Sequence, residues 1–445
     1  MAKIIPGKLL LSKHVARKDR VLLINPPVEE TRYSWRRWNQ PIDLLKLASL
    51  LRSQVGCRVD LLDHMKPDAQ GHVREEWLPR DRRYYMVKSD RYPMHRFGQS
   101  YSYLAEWLTA KKRDEGWERP TQVWVTSLCS YWYVTVAEMC RVVRQALPDA
   151  QIVLIGQYTR LMPKHASESC AADLLVSQPV NLNDETSAID LYGKPPPPFI
   201  ALRLQPKVAI QEIKLGLEHE IVDFTFFEED ICRDGGEPLT EIFAETRDLH
   251  KHLRYHIICG LNPSRVTPTI ARVLANRQFV ELHFEEAEVD DSLDLDSYKK
   301  TRAYLSEAGM KNRSDKLSGF VWIGRPGDQL ERLIQRSFDV LSCFGSLILK
   351  PFTPVPGSSE HHKHESYLAN IPHREWSPHF FPFAELNRIS RDEYHDLYRV
   401  AAFLNEKVRD RSFDFLNGSL GGQMLRESLR REAWKLEPTQ IRVTD

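Results

Sequence analysis

The chain has 445 residues, with 62 Lys+Arg against 61 Asp+Glu, a hydrophobic share of 42% and seven cysteines. That length predicts two or three domains with sizeable cores, and the balanced charge gives no electrostatic sign of a nucleic-acid or membrane partner. No run approaches the ~18–20 apolar residues that span a bilayer, and Leu9-Leu10-Leu11 is too short for a signal-peptide core, so a cytoplasmic protein is expected.

In chain order, the start is locally basic (Lys3, Lys8, Lys13, Arg17, Lys18, Arg20) and reads as a solvated arm before the first strand. Arg20–Asn25 is an apolar run closed by Pro26-Pro27, which predicts a buried parallel strand ending in a loop. Leu44, Leu45, Leu47, Ala48, Leu50 and Leu51 give an amphipathic helix that stops near Gly56. Further strands are predicted at Cys57–Asp63, Gln122–Ser127, Gln151–Gly156 and Ala172–Val176, with a helix at Val136–Leu147. Strands alternating with helices predict a doubly wound parallel sheet over residues 1–192. Residues 65–120, rich in Arg, Tyr and Trp, interrupt the rhythm. They read as an insertion with one helix, Tyr101–Ala110, that covers the sheet edge or reaches toward a partner.

Residues 193–198, Gly193-Lys194-Pro195-Pro196-Pro197-Pro198, read as a stiff linker. Six further strand–helix units follow over residues 199–372. Their strands are Phe199–Leu204, Ile221–Phe227, Leu253–Cys259, Phe279–Phe284, Gly319–Gly324 and Leu347–Phe352. This count fits a partial (β/α)6 barrel, whose ligands lie at the carboxyl ends of the strands. Polar residues gather there: Arg203, Glu228, Glu229, Asp230, Asn262, Arg265, His283, Glu285, Arg325 and Lys350. Glu228, Glu229, Asp230, His283 and Glu285 are the acid/base or cation-binding candidates; the alternative is a solvated rim of internal ion pairs. The tract Ser358–Glu365 carries His361, His362 and His364, which can take zinc or nickel, but a plain surface loop is the expectation. Residues 373–445 read as a helical extension, with helices at Arg391–Val408 and Met424–Leu436.

Four loops meet the carboxyl edge of the first sheet: Asn25-Pro26-Pro27, Asp63-His64, Ser127 to Tyr133, and Gly156-Gln157-Tyr158. With the strand before Ser127, the following Tyr131-Trp132-Tyr133, and Ile155-Gly156-Gln157-Tyr158 ahead of Pro163-Lys164-His165-Ala166, the chain from Asp19 to about Asp410 resembles the radical S-adenosylmethionine proteins that carry a cobalamin-binding domain. The resemblance implies a Rossmann-like (flavodoxin-like) domain followed by the partial barrel. It implies cobalamin contacts at Asn25, Pro26, Asp63, Ser127, Tyr131, Trp132, Gly156 and Gln157. Packing of the Tyr131–Tyr133 loop as an aromatic wedge is the alternative. His64 and His165 are further ligand candidates, weighed against a structural role.

Four departures from the family stand out. Where it usually has two glycines, only Gly156 is present, and its later Gly-Glu-Gly-Glu turn is Ser177-Gln178-Pro179-Val180. Asp234-Gly235-Gly236-Glu237-Pro238 resembles its Gly-Gly-Glu-Pro motif but follows an acidic cluster and reads as a turn opening a helix. Most telling, the Cys-x3-Cys-x2-Cys loop after the first barrel strand is missing: only Gln205-Pro206-Lys207 precede the next helix, and no cysteine lies between Cys170 and Cys232. An iron–sulfur cluster needs thiolates, so no 4Fe–4S cluster is expected and no catalytic residue is assigned outright. The leading expectation is a degenerate, non-catalytic homologue acting as a partner or scaffold for another protein. The alternatives are a cobalamin carrier, sensor or methyl-transfer protein, and an enzyme of unrelated chemistry that binds a small molecule at the barrel rim.

Overall fold

The computed structural model describes residues 2–31, 40–68, 71–228, 230–285, 295–310 and 316–409. They form an α/β protein of two compact units. Unit 1 comprises Met1–Ile200, Glu218–Ile221 and Pro354–Phe380; unit 2 comprises Ala201–Leu217, Val222–Thr353 and the chain from Phe381 onward. The units are discontinuous in sequence, whereas the sequence reading cut the chain into contiguous blocks.

The strands of unit 1 are β1 (Lys3–Ile5), β2 (Arg20–Asn25), β3 (Val28–Thr31), β4 (Arg58–Asp63), β5 (Glu75–Trp77), β6 (Tyr84–Val87), β7 (Asp90–Phe97), β8 (Gln122–Ser127), β9 (Gln151–Gly156) and β10 (Leu174–Val176). Six of them make a parallel sheet in the order β1-β10-β9-β8-β2-β4. From β2 the chain goes first to one side, to β4, and then to the other, through β8, β9 and β10. That reversal creates a topological switch point between β2 and β8. Consecutive residues of the central strands are buried on both faces. Val21, Leu23, Trp124 and Val153 face one core; Leu22, Ile24, Val123, Val125, Ile152 and Leu154 face the other. The helix from Ile42 ends at Gly56, whose left-handed φ of 75° a residue with a side chain rarely adopts.

Two expectations change here. The basic start is not wholly a solvated arm: Lys3–Ile5 adds β1 to the edge of the sheet, pairing in parallel with Leu174–Val176 and burying Ile5, while Ile4 stays 46% exposed. The insertion at 65–120 holds more than its helix, which runs Tyr103–Lys111. β7 pairs antiparallel with β3, β5 and β6. One side of this small sheet buries Leu78, Val87, Tyr92 and Met94 against Phe380.

Unit 2 contains β11 (Ile200–Leu202), β12 (Asp223–Phe226), β13 (Arg254–Leu261), β14 (Phe279–Phe284), β15 (Leu317–Ile323) and β16 (Ser346–Pro351), in that spatial order and without reversal. The pairings from β12 to β16 are parallel. Helices alternate with the strands, at Pro206–Glu218, Glu237–Thr246, Pro268–Leu274, Leu295–Leu305 and Leu330–Cys343. Gly319 on β15 lets the last of these lie close, since a Cβ there would sit 2.2 Å from Val340 Cγ1. Helix Arg391–Arg409 buries Tyr394, Leu397, Val400, Ala401 and Leu404. Its Asn405 side chain bonds both the N–H and the C=O of Leu347, each at 2.8 Å, and so clamps the helix to β16.

The histidine tract is not a plain loop: Ser358 caps a helix at Ser359–Lys363 by accepting from the His361 N–H. Asp234-Gly235-Gly236 turns with positive φ at each residue and opens helix Glu237–Thr246, with Pro238 in its first turn, as the sequence implied. The predicted helix Met424–Leu436 lies outside the described residues. No helix among the described residues is long and apolar enough to cross a membrane.

Candidate functional site

Four strands of unit 1 end together. Asn25 pairs in register with Asp63, and Ser127 with Gly156, which puts all four at the carboxyl edge beside the switch point. Several of their polar side-chain atoms are bonded within the chain. Asp63 Oδ1 accepts from Asn25 Nδ2 at 2.7 Å and from the Met65 N–H at 2.9 Å, and Oδ2 accepts from the Tyr192 hydroxyl at 2.9 Å. Burial, with the Asp63 carboxylate beside it, pushes the Tyr192 hydroxyl well above its ordinary pKa and keeps it a donor. Lys66 Nζ donates to the carbonyls of Tyr192 and Pro195 at 3.0 and 3.3 Å, which ties the proline segment down at the same place. Ser127 Oγ donates to the Cys129 carbonyl at 3.0 Å.

Gly156 is required by a neighbouring strand. Its φ is 103°, and a Cβ would lie 2.6 Å from the Ser127 carbonyl oxygen. The sequence reading tied this glycine to the close approach of a cofactor; in the structure the approaching atom is backbone of β8. Pro26 is buried and Gln157 exposed. Trp132 is buried and Tyr131 half-buried, their rings edge to face at 5.7 Å, and both pack into the core beneath the sheet edge.

A residue with no sequence signal lies beneath this loop. Burial raises the Glu30 carboxyl above the usual range, although the neighbouring Ser377, the hydrogen bond from the Thr31 N–H and the charge of Arg374 oppose it. His64 is fully buried; its Nδ1 lies 3.1 Å from the Gln99 carbonyl, and burial pulls its pKa down to about 4. His165 and His373 meet with ring centroids 4.9 Å apart, beside Tyr133. Tyr158 Oη sits 2.6 Å from His165 Nδ1, and burial followed by the neighbouring His165 brings His373 to about 4. These imidazoles are neutral at pH 7. His361 packs on Trp376, whereas His362 and His364 face Glu365 and Glu360. Among the described residues no group of three His, Cys, Asp or Glu side chains is disposed to hold a metal ion.

In unit 2 the predicted acidic rim is internally paired. Glu228 Oε1 accepts from the Leu204 N–H at 2.7 Å, Arg203 Nη1 donates to the Phe227 carbonyl at 3.0 Å, and Arg233 donates to the Leu204 carbonyl. Asp230 forms an ion pair with Arg265 and accepts from the Cys232 N–H. Glu285 holds Lys350 Nζ at 2.6 Å, and the ammonium lies 4.3 Å from the Trp322 ring centroid. Burial raises both nearby thiols, Cys259 and Cys232, the latter to about 12, so neither is a thiolate at pH 7. Glu229 and Glu286 lie outside the described residues.

The structure adds a polar ribbon that the sequence reading missed. On one face of the sheet, Asp223 Oδ1 lies 2.9 Å from His256 Nε2, and His256 Nδ1 lies 3.6 Å from Glu281 Oε2. Glu281 Oε1 is 3.0 Å from Nε2 of buried His283, whose Nδ1 lies 3.1 Å from the Ile258 carbonyl. Burial disfavours the charged form of His256, but hydrogen bonds to Asp223 and Glu281 outweigh it and raise its pKa. For Asp223 burial is likewise outweighed, by His256 and Arg254, and its pKa is lowered. Alternating carboxylates and imidazoles of this kind can hold and pass protons. The signal was present as the alternation Asp223-Phe224-Thr225-Phe226 and Glu281-Leu282-His283-Phe284, in which every second residue is polar. His283 therefore belongs with Asp223, His256 and Glu281, while Glu228 and Asp230 are occupied elsewhere.

The chain matches no protein-family model, and no curated protein sequence matches it.

Proposed function

We propose that this chain is a non-catalytic relative of the cobalamin-binding radical S-adenosylmethionine proteins, acting as the partner or scaffold subunit of a biosynthetic or radical-enzyme assembly in the cytoplasm. In this reading the second sheet is a partial (β/α)6 barrel that has lost its cluster loop. The supporting observation is the connection after β11. Only Arg203, Leu204 and Gln205 separate it from the next helix, and the backbone of Leu204 is bonded to Glu228 and Arg233. No thiolate is offered there, and thiolates are what an iron–sulfur cluster requires. Anaerobic purification after iron and sulfide loading tests this. The expected outcome is iron well below one cluster per chain, no deoxyadenosyl product from S-adenosylmethionine, and recovery from the native host together with another protein. Four irons per chain with cleavage of S-adenosylmethionine, or recovery only as a lone monomer, would refute it.

A second reading, supported by the strand ends gathered at the switch point and by the Tyr133–His165–His373 patch, is a cobalamin carrier, sensor or methyl-transfer protein. Hydroxocobalamin added to the purified chain would then show a shifted visible spectrum, and a spectrum equal to that of the free corrinoid removes this reading.

A further inference from the structure

The outward face of the antiparallel sheet in unit 1 is unlike an ordinary protein surface. Trp77, Tyr84 and Met86 are 49%, 41% and 51% exposed. Register pairs Tyr84 with Pro93 and Met86 with Arg91, and the alternate residues Tyr85, Val87, Tyr92 and Met94 turn to the side packed on Phe380. The sheet is thus amphipathic in the usual sense, yet its outer side carries large apolar groups. Natural sheet edges and faces exposed in this way are normally blunted by charge or covered.

The hairpin beside it is net basic, while Glu75 and Glu76 of β5 are paired with His95 and Arg74. Residues 80–91 hold Arg80, Arg82, Arg83, Lys88 and Arg91 against Asp81 and Asp90. Arg82 is spent on Glu29, whereas Arg80, Arg83 and Arg91 make no ion pair with any described carboxylate. Arg91 Cζ lies over Tyr84, 3.6 Å from its ring centroid, and Arg83 Cζ lies over Trp77 at 5.5 Å. A guanidinium stacked on a ring keeps its in-plane N–H donors free for a carboxylate. Each stacked guanidinium occupies one face of its ring, and His95 lies 4.0 Å from Trp77 between ring centroids. Single-stranded nucleic acid binds by stacking bases on open aromatic faces, so rings with one face already taken favour a polypeptide. Aromatic and arginine side chains together are what protein hot spots are made of.

We propose that this face, Trp77, Tyr84 and Met86 framed by Arg80, Arg83 and Arg91, docks an acidic polypeptide segment of a partner protein. The inference rests on the subunit reading above. The test uses the full chain and a random glutamate–tyrosine copolymer as probe, with polylysine and an oligo(dT) single strand alongside, read by fluorescence anisotropy. The copolymer is expected to bind in a salt-dependent manner and polylysine not to bind. The double variant Arg83→Glu/Arg91→Glu should weaken copolymer binding at least tenfold, and so should Met86→Asp, which leaves the arginines in place. Arg272→Glu on an unrelated helix should change nothing. Equal binding by the Arg83/Arg91 variant, or tighter binding of oligo(dT) than of copolymer, would overturn the proposal. Purification from the native host separates it from its parent reading. If the wild-type chain brings an identified partner and the folded double variant brings the same amount, the docking face is wrong and the subunit reading stands. If the wild-type chain brings none, the subunit reading falls and takes the docking face with it.

Discussion

The two parallel sheets of this chain solve the same packing problem in different ways. In unit 1 the strand order reverses at β2, and consecutive residues such as Leu22 and Leu23, or Val123 and Trp124, are buried in separate cores on opposite faces. In unit 2 the order never reverses, and one face of β12–β14 buries Phe224, Phe226, Ile257 and Leu282 while the other carries Asp223, His256, Glu281 and His283. A sheet covered on both faces reads as unbroken apolar runs, and one with a polar face reads as an alternation. The lesson is that unit 1 offers its strand ends for polar chemistry, whereas unit 2 offers one face of β12–β14.

The sharpest way to break this contrast is truncation. Leu22→Ala and Leu23→Ala should each cost about 2–5 kcal/mol, because each removes a fully buried side chain from its own core. In unit 2 the neighbours should differ: Leu282→Ala about 2–5 kcal/mol, Glu281→Ala nearer 1–3 kcal/mol for a half-exposed hydrogen-bonding group. Chemical denaturation checks both pairs, and equal costs at 281 and 282 would remove the contrast.

Histidines should give the units opposite pH trends. His64 has a folded pKa lowered from 6.5 to about 4, so the unfolded chain binds more protons between these values. Its contribution is full above pH 6.5 and lost as the pH falls toward 4, by about 3 kcal/mol. His256 is raised, so its contribution is full below 6.5 and lost as the pH rises through its folded value. Asp223 is lowered, so its contribution is present above 3.8 and lost as the pH falls through its folded value. Peptide-resolved hydrogen exchange, corrected for intrinsic rate, should therefore show β4 losing protection toward pH 5 and β13 losing it toward pH 8. His64→Asn should flatten the first slope and His256→Gln the second.

Glycine substitutions should have the next largest effect. Gly156→Ala and Gly319→Ala place a Cβ 2.6 Å from the Ser127 carbonyl oxygen and 2.2 Å from Val340 Cγ1. Each should lower stability by about 1–3 kcal/mol, with Gly156→Ala the worse because its φ of 103° is also unfavourable for alanine and its neighbour is backbone. Thermal melts decide the order. The smallest effect is expected at Arg265→Ala, which removes an exposed partner of Asp230 and should cost under about 1 kcal/mol.

The legible parts of this molecule were those in which local pattern and tertiary demand agree. Arg20–Asn25, Gln122–Ser127, Gln151–Gly156 and Phe279–Phe284 stand where their apolar runs predicted. The antiparallel sheet between residues 75 and 97 was missed because Arg, Tyr and Glu dominate it, and its pairing with β3 is a long-range contact that no short window carries. The candidate sites divide in the same way. That Asn25, Asp63, Ser127 and Gly156 come together at strand ends follows from strand order, but that Tyr192 reaches back to occupy Asp63 does not. Glu30 carried no signal in the sequence, because the Ser377 and Arg374 that lie beside its buried carboxyl are more than 340 residues away along the chain.

By itself, then, the sequence determined the alternation of strands and helices, the two sheet-forming regions and the cysteine-free connection from β11 to the next helix, because periodicity and composition act locally. Only the tertiary structure decided that Pro354–Phe380 packs with unit 1, and that Asp223, His256, Glu281 and His283 form one ribbon. It also decided which acidic residues are already satisfied. Hydrogen bonds and ion pairs join side chains far apart in the chain, and their partners are chosen by packing geometry that no residue encodes alone.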